Sequence, residues 1–513
     1  MIQSNPRSLK FIIAGLLLGI LMAAMDNTIV TTAMGTIVSD LGGMKQFVWV
    51  TSAYMVAVMA GTPIFGKLSD MYGRKRFFLF GLITFLIGSI LCGLATSITE
   101  LSLFRVIQGI GGGALMPIAF TIIFDLFPPQ SRGKITGLFG AVFGLSSIVG
   151  PLLGAFITDN INWHWTFYIN VPIGIVAIIF ITLFYKESPS HAKQKIDWFG
   201  AITLVGATVC LMFALELGGE QYAWSSGVII GLFAGFAILL AAFLMIERVV
   251  TEPIISFEMF KVRLFSTSNA VSLFYGAVFI VATVYVPIFV QGVYGGSATN
   301  SGLILMPMMI GSVLGSQVGG FLSSRIPFRN IMMISVVFFI GGVALLGTLS
   351  PDTARALMTL YIIIMGFGVG FSFSTLNIAG IHHFDMRRRG AATSAVTFMR
   401  SLGMTLGITV FGIIQRNIFS DKLTASFAGS GQNASAIGDP RDALSPDKRK
   451  LIPEPIVHKI SDAMATSIAH TFMWALIPAA LAGLFILLMP KDRVERSKPA
   501  ASPEVATSKS NGG

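Results

Sequence analysis

The chain has 513 residues, of which 54% are hydrophobic and 12% charged, with a mean hydropathy of +0.78. A water-soluble chain with this composition would expose a massive apolar surface, so the solvent must be lipid. The net charge of +11 does not point to nucleic acid, because the basic residues form short clusters between apolar stretches instead of one patch.

A membrane span needs about twenty mainly apolar residues, and fourteen such segments can be marked off in order. The first carries Arg7 and Lys10 ahead of it and lacks a convincing small-residue cleavage site, so it is read as a retained span and not a leader. The first six run roughly over 11–36, 47–66, 77–96, 101–126, 135–157 and 165–185. Spans seven and eight follow at about 198–217 and 227–246, and the last six at about 267–291, 300–322, 331–349, 355–377, 391–415 and 468–489.

An even count puts both termini on one side, and the basic clusters say which. Arg7 and Lys10, Lys67 with Arg74 to Arg76, Arg132 and Lys134, Lys193 and Lys195, Arg248, Lys261 and Arg263, Arg325 and Arg329, and Arg387 to Arg389 all fall on the terminal side. The other side holds little beyond Lys45 and Arg355, so both ends are expected in the cytoplasm. The stretch 416–467, with Lys448 to Lys450, departs from this pattern and reads as a long solvated external loop.

Two sets of six flanking a pair predict a duplicated six-helix unit around a central cavity. The expected units are residues 1–190, an inserted pair over 191–263, a second bundle over 264–490 and a tail over 491–513. Glycines 366, 368 and 370 of span twelve echo Gly109 and Gly111 to Gly113 of span four, and the loop at 325–330 is a degraded echo of the basic loop at 66–76.

That basic loop reads Gly66-Lys-Leu-Ser-Asp70-Met-Tyr-Gly73-Arg74-Lys75-Arg76. Glycines there permit a tight connection, and Asp70 can cap a helix end or pair with an arginine. The segment resembles the signature of the major facilitator superfamily. The resemblance implies that Asp70 and Arg74 latch the two halves at the cytoplasmic face, with Asp125 as the partner of Arg74.

Four more segments narrow the likeness to its fourteen-span drug:proton antiporters. Ala24 to Val30 resembles the branch's membrane-embedded aspartate motif, and Leu103 to Gly109 its arginine motif. Gly144 through Gly150, Pro151 and Gly154 resembles the antiporter glycine-proline motif, and Trp163 to Gly174 the start of span six. The implied fold is all-α, two six-helix bundles plus two inserted helices. Protons, lipid and hydrophobic small molecules are the expected partners of a monomer, with no cofactor, metal or nucleic acid, in a bacterial cytoplasmic membrane.

The chemistry can be argued from the residues alone. A charge at mid-span costs about 2.5–3.5 kcal/mol on insertion scales, so Asp26 and Arg105 must each face a cavity or a partner. Burial favours the protonated acid and a nearby arginine the ionised one, so Asp26 can load and release a proton, with Arg105 as its tuner or a link in the proton route. A static ion pair is the competing reading. Arg400 also violates hydropathy, and a hydrogen bond to helix ends across the interface stands equal with a substrate role. Glycines flatten one face of span five and Pro151 bends it, which suits sealing against the opposite half.

Glu216 reads as interfacial, and His164, His382 and His383 as surface residues. Cys92 and Cys210 lie far apart in apolar segments, which indicates neither a disulfide nor a metal site. Residues 186–190 slightly resemble a sugar-porter loop motif, against which the inserted pair and the span-five motif argue. An exporter of one metabolite, siderophore or antibiotic remains open, as does a sensor that has lost transport. A membrane enzyme lacks any nucleophile constellation, and Gly109 to Ala114 has no preceding strand.

Overall fold

The computed structural model describes residues 6–42, 48–187, 197–219, 221–250, 253–295, 298–427 and 453–493. In lipid every backbone polar group must be satisfied within its own segment, so each long apolar run becomes a helix. The helices are α1 (Pro6–Leu41), α2 (Val48–Tyr72), α3 (Arg74–Gly93), α4 (Ile98–Leu126), α5 (Pro129–Asn160), α6 (Trp165–Tyr168), α7 (Asn170–Phe184) and α8 (Trp198–Leu217). They continue as α9 (Gly227–Val249), α10 (Phe257–Lys261), α11 (Arg263–Gly292), α12 (Ala298–Leu322), α13 (Phe328–Leu346), α14 (Arg355–Ile381), α15 (Arg389–Phe427) and α16 (Glu454–Leu488). Fourteen segments are long and apolar enough to span a membrane, with α6 and α7 together making the sixth.

The packing partners repeat. In the first bundle α1 pairs with α5 and α7, and α4 lies between α2 and α3; in the second, α11 pairs with α15 and α16, and α14 lies between α12 and α13. The bundles meet along two crossed pairs, α2 with α15 and α5 with α12. The glycine echo has its reason here. A Cβ on Gly109 or Gly113 would sit 2.6 or 2.7 Å from the Tyr54 or Val58 carbonyl of α2, and one on Gly368 2.5 Å from the Phe339 nitrogen of α13. Both helices sink deep into their bundles because they lack side chains where backbones approach. Of the inserted pair, α9 packs chiefly on α8, and only 11% of its span is buried.

Two expectations need correction. The basic loop is not a loop: Gly66 to Tyr72 is the last part of α2, and the chain breaks only at Gly73, whose φ of +114° suits glycine. Polar residues at a membrane surface end a hydropathic run without ending a helix. For the same reason the expected external loop at 416–467 is helical over 416–427 and 454–467, where Leu423, Phe427, Ile460 and Ala463 pack together. Span six is continuous as expected over Trp165–Phe184, with Ile169 between α6 and α7 keeping helical dihedrals. Lys45, Lys193, Lys195, Lys448 to Lys450, the boundary at 190–191 and the tail from 494 lie outside the described residues. The start of that tail is tied to α13, since the Phe328 amide donates to the Asp492 carbonyl at 2.9 Å.

Gly113→Val should force α2 and α4 apart and destabilise the protein by about 1–3 kcal/mol. Gly341→Ala, where a Cβ meets nothing within 4 Å, should not. Thermal unfolding of the detergent-purified variants compares the two, and equal stabilities would show that the glycine packing is not required.

Candidate functional site

The charge placed deepest in the first bundle is Asp26 of α1, which is fully buried, as are Arg105 and Gln108 of α4, Ser89 of α3 and Asn170 of α7. One carboxylate oxygen of Asp26 pairs with the Arg105 guanidinium. The other accepts the side-chain amides of Gln108 and Asn170, each at 2.8 Å. Those amides also reach the Ser89 hydroxyl, at 3.2 and 3.0 Å, and that hydroxyl donates to the Phe167 carbonyl at 2.8 Å. Arg105 further donates to the Gln108 side-chain oxygen at 2.8 Å and to the Val50 carbonyl at 3.2 Å, and lies 4.1 Å from the centre of the Tyr54 ring.

All three groups on the Asp26 carboxylate are donors, so the site as folded matches the ionised acid. A proton on Asp26 would compete with one of them and leave the Arg105 charge without its counterion, an expensive state in a dry interior. The Arg105 Nη2 has no hydrogen-bond acceptor among the described residues, which leaves one donor ready for a new partner. Gln108 sits three residues beyond Arg105 on the same helical face, and that spacing was the available signal for it. Asn170, a lone amide in an apolar span, was likewise visible but unassigned.

At the end of the molecule where α2 ends and α3 begins, a second cluster joins the bundles. Arg74 pairs with Asp70 at 3.2 Å and with Asp125. Asp70 accepts the backbone amides of Gly390 and Ala391, both at 2.9 Å, so it caps α15 of the opposite bundle. Arg389, which sequence reasoning had absorbed into the positive-side cluster, bonds Asp125 at 3.1 Å, and Arg74 donates to the Met386 carbonyl at 2.5 Å. Gly66 makes the close approach possible and does not serve a turn: its Cβ would lie 2.8 Å from the Gly390 carbonyl.

In the half of the bundles away from this cluster lies a cavity of about 400 Å³ between α1, α2, α8, α11 and α15. Met34, Met55, Met59, Met212 and Met404 line it, with hydroxyls from residues such as Thr31, Thr51 and Ser401. Glu216 lines it too, so this residue is not merely interfacial as the sequence had implied. Asp26 is not among the lining residues. It lies behind α2, whose Tyr54 faces α4 while Thr51, Met55 and Val58 face the cavity.

The glycine-proline helix presents two faces. Gly144 packs on Val313 and Met309 of α12 in the opposite bundle, whereas Gly150 and Gly154 pack on Thr28, Ile29 and Thr32 of α1 in their own, with Pro151 inside the helix. Six residues correspond to a rotation of about 120° modulo whole turns, so the motif cannot be the single flat sealing face expected. Arg400 is buried and does not reach a helix end: it donates to the mid-helix Ser372 carbonyl of α14 at 3.4 Å and stacks 4.6 Å from the Phe373 ring. His383 is exposed and bonds Asp492 at 2.8 Å, and His382 packs edge-on to Phe328. Among the described residues no group of three or more His, Cys, Asp or Glu side chains is placed to hold a metal.

A model described as the Major Facilitator Superfamily matches residues 16–408. The chain is 59% identical over 497 residues to Multidrug resistance protein 3 of Bacillus subtilis (strain 168), covering 96% of this chain and 97% of that one. It is 37% identical over 508 residues to the Multidrug transporter protein MdtP of the same organism, covering 95% and 94%. Among solved structures, the proton:xylose symporter XylE superposes with a TM-score of 0.62 over 95% of this chain and 97% of that one, at 14% identity. That last likeness is one of fold.

Arg105→Ala leaves Asp26 buried without its counterion and should cost about 3–5 kcal/mol. The pair Asp26→Asn with Arg105→Gln should recover much of that loss. Thermal unfolding of the purified single and double variants measures it, and a double variant no more stable than the single would contradict a coupled pair.

Proposed function

The chain belongs to the Major Facilitator Superfamily, and we propose that it is a proton-coupled antiporter that exports hydrophobic, cationic, drug-like compounds across a bacterial cytoplasmic membrane. Drug export is supported by relatives named as multidrug transporters along nearly their whole length. Proton coupling is carried by one observation, the buried Asp26 whose carboxylate is held by three donors, Arg105 among them. The excess of basic residues on one side supports cytoplasmic termini; on that orientation the Asp70–Arg74–Asp125–Arg389 cluster is a cytoplasmic latch and the methionine-lined cavity opens towards the outside.

In this conformer the latch is made and the Asp26 carboxylate accepts from three donors, an arrangement that suits a transporter that has presented its cavity outward. A proton arriving at Asp26 displaces one of its donors and unsettles the Arg105 pair. The altered first bundle then favours the conformer with the latch open, where a drug enters and the proton leaves. The acid is thus protonated while the drug site is empty and ionised while it is occupied, and the two ligands exchange by alternating access. Thr28 ties this site to α5, since its hydroxyl donates to the Ser146 carbonyl at 3.2 Å. The neighbouring Gly144 of α5 packs on the second bundle.

Methionines suit the substrate range, because thioethers are flexible and polarizable and adapt to many shapes. Exchange of one proton for one monovalent cation moves no net charge, so the pH difference alone would drive it, about tenfold per pH unit.

Cells producing the protein should accumulate less ethidium than control cells, and a protonophore or Asp26→Asn at equal protein level should abolish that difference. Fluorescence uptake is the readout. Undiminished efflux by Asp26→Asn would make Asp26 structural, and no efflux by the wild type would remove the multidrug reading.

A further inference from the structure

The inserted helix α8 is wedged into the seam between the bundles, touching α2 of the first and α15 of the second. Val56 and Met59 of α2, Met212 of α8 and Phe398 of α15 form one buried cluster, and Trp49 meets Phe213 edge to face with ring centres 4.9 Å apart. A linker that only joined two bundles would not need to fill their seam. One face of α8 looks into the cavity, and that face carries Met212 and, one turn further on, Glu216. Glu216 is the one ionisable side chain among the described residues lining the cavity.

We propose that Glu216 is the cation-selecting group of the substrate cavity, and that the inserted pair thereby forms part of the binding site for monovalent lipophilic cations. The inference rests on reading the cavity as the substrate path. A lipophilic cation with a delocalised charge lays its apolar surface on the methionines and needs no directed hydrogen bond. A carboxylate within the same partly dry space then supplies attraction that an uncharged compound of equal size does not receive. Glu216 is half-buried, so water still reaches it while the cavity is empty. Beyond the end of α8, Arg416 of α15 is exposed and donates to the Gly219 carbonyl at 3.1 Å, which ties the inserted helix to the second bundle.

The test is equilibrium binding to the full-length protein in lipid nanodiscs, with radiolabelled tetraphenylphosphonium as the cation and Nile red as an uncharged lipophile. Glu216→Gln should raise the tetraphenylphosphonium Kd about tenfold, the effect of one lost charge contact. Glu216→Asp should retain most of the affinity, and Nile red should bind all three proteins alike. Equal tetraphenylphosphonium affinity in wild type and Glu216→Gln would overturn the proposal. So would a parallel loss of both probes, which marks a structural role, or a wild type that binds Nile red but not the cation. Proton coupling is read separately through Asp26 and the protonophore, so either reading can fail while the other stands.

Discussion

The first bundle is organised around one costly object, the acid group of Asp26 buried inside a lipid-embedded core. Leaving it unpaired would cost several kcal/mol, and five helices contribute to avoiding that: α1 supplies the acid, α4 the arginine and an amide, α7 a second amide, α3 the serine that orients both amides, and α2 the tyrosine beneath the guanidinium. A network that satisfies the charged form so fully resists the neutral form. Under the proposed coupling, a proton added there would change the packing of the bundle, the link between titration and shape that a coupled transporter needs.

Shape is set by close backbone contact at a few glycines. Gly66 and Gly390 bring α2 and α15 near enough for Asp70 to cap α15, while α5 faces α1 with Gly150 and Gly154 and α12 with Gly144. The two ends of the bundle interface thus differ in kind. One is held by charge-assisted bonds that can be made and broken, and the other surrounds a methionine-lined space in which apolar guests fit without strict geometry. The inserted helix α8 closes the side of that space, which a twelve-helix arrangement would leave to lipid or to rearranged neighbours.

The number and order of spans were legible because lipid permits an apolar run little other than a helix. Their ends were not. Lys67 to Tyr72 and residues 416–427 are polar enough to read as loops, yet a helix emerging into water keeps its backbone bonds, and only the positive φ of Gly73 marks a true break. Asp26, Arg105, Asp70, Arg74 and Asp125 were visible because charge in or beside a span needs a reason, and the structure brings the first two together and the last three together. Gln108 and Asn170 were visible but stayed unassigned, because neutral amides cost less and occur in spans for packing. Arg389 was hidden in a run that topology already explained. That Glu216 also lines the cavity was not legible, because position along a helix cannot tell whether a residue near the surface faces headgroups or a cavity.

The account stands on Asp26 exchanging a proton when substrate binds. The most direct test is substrate-induced proton release from the purified protein in weakly buffered detergent solution, followed with a pH dye as ethidium is added. The account predicts release by the wild type that is absent from Asp26→Asn at matched ethidium occupancy. Equal release by the two proteins, or ethidium binding by the wild type with none released, would contradict it.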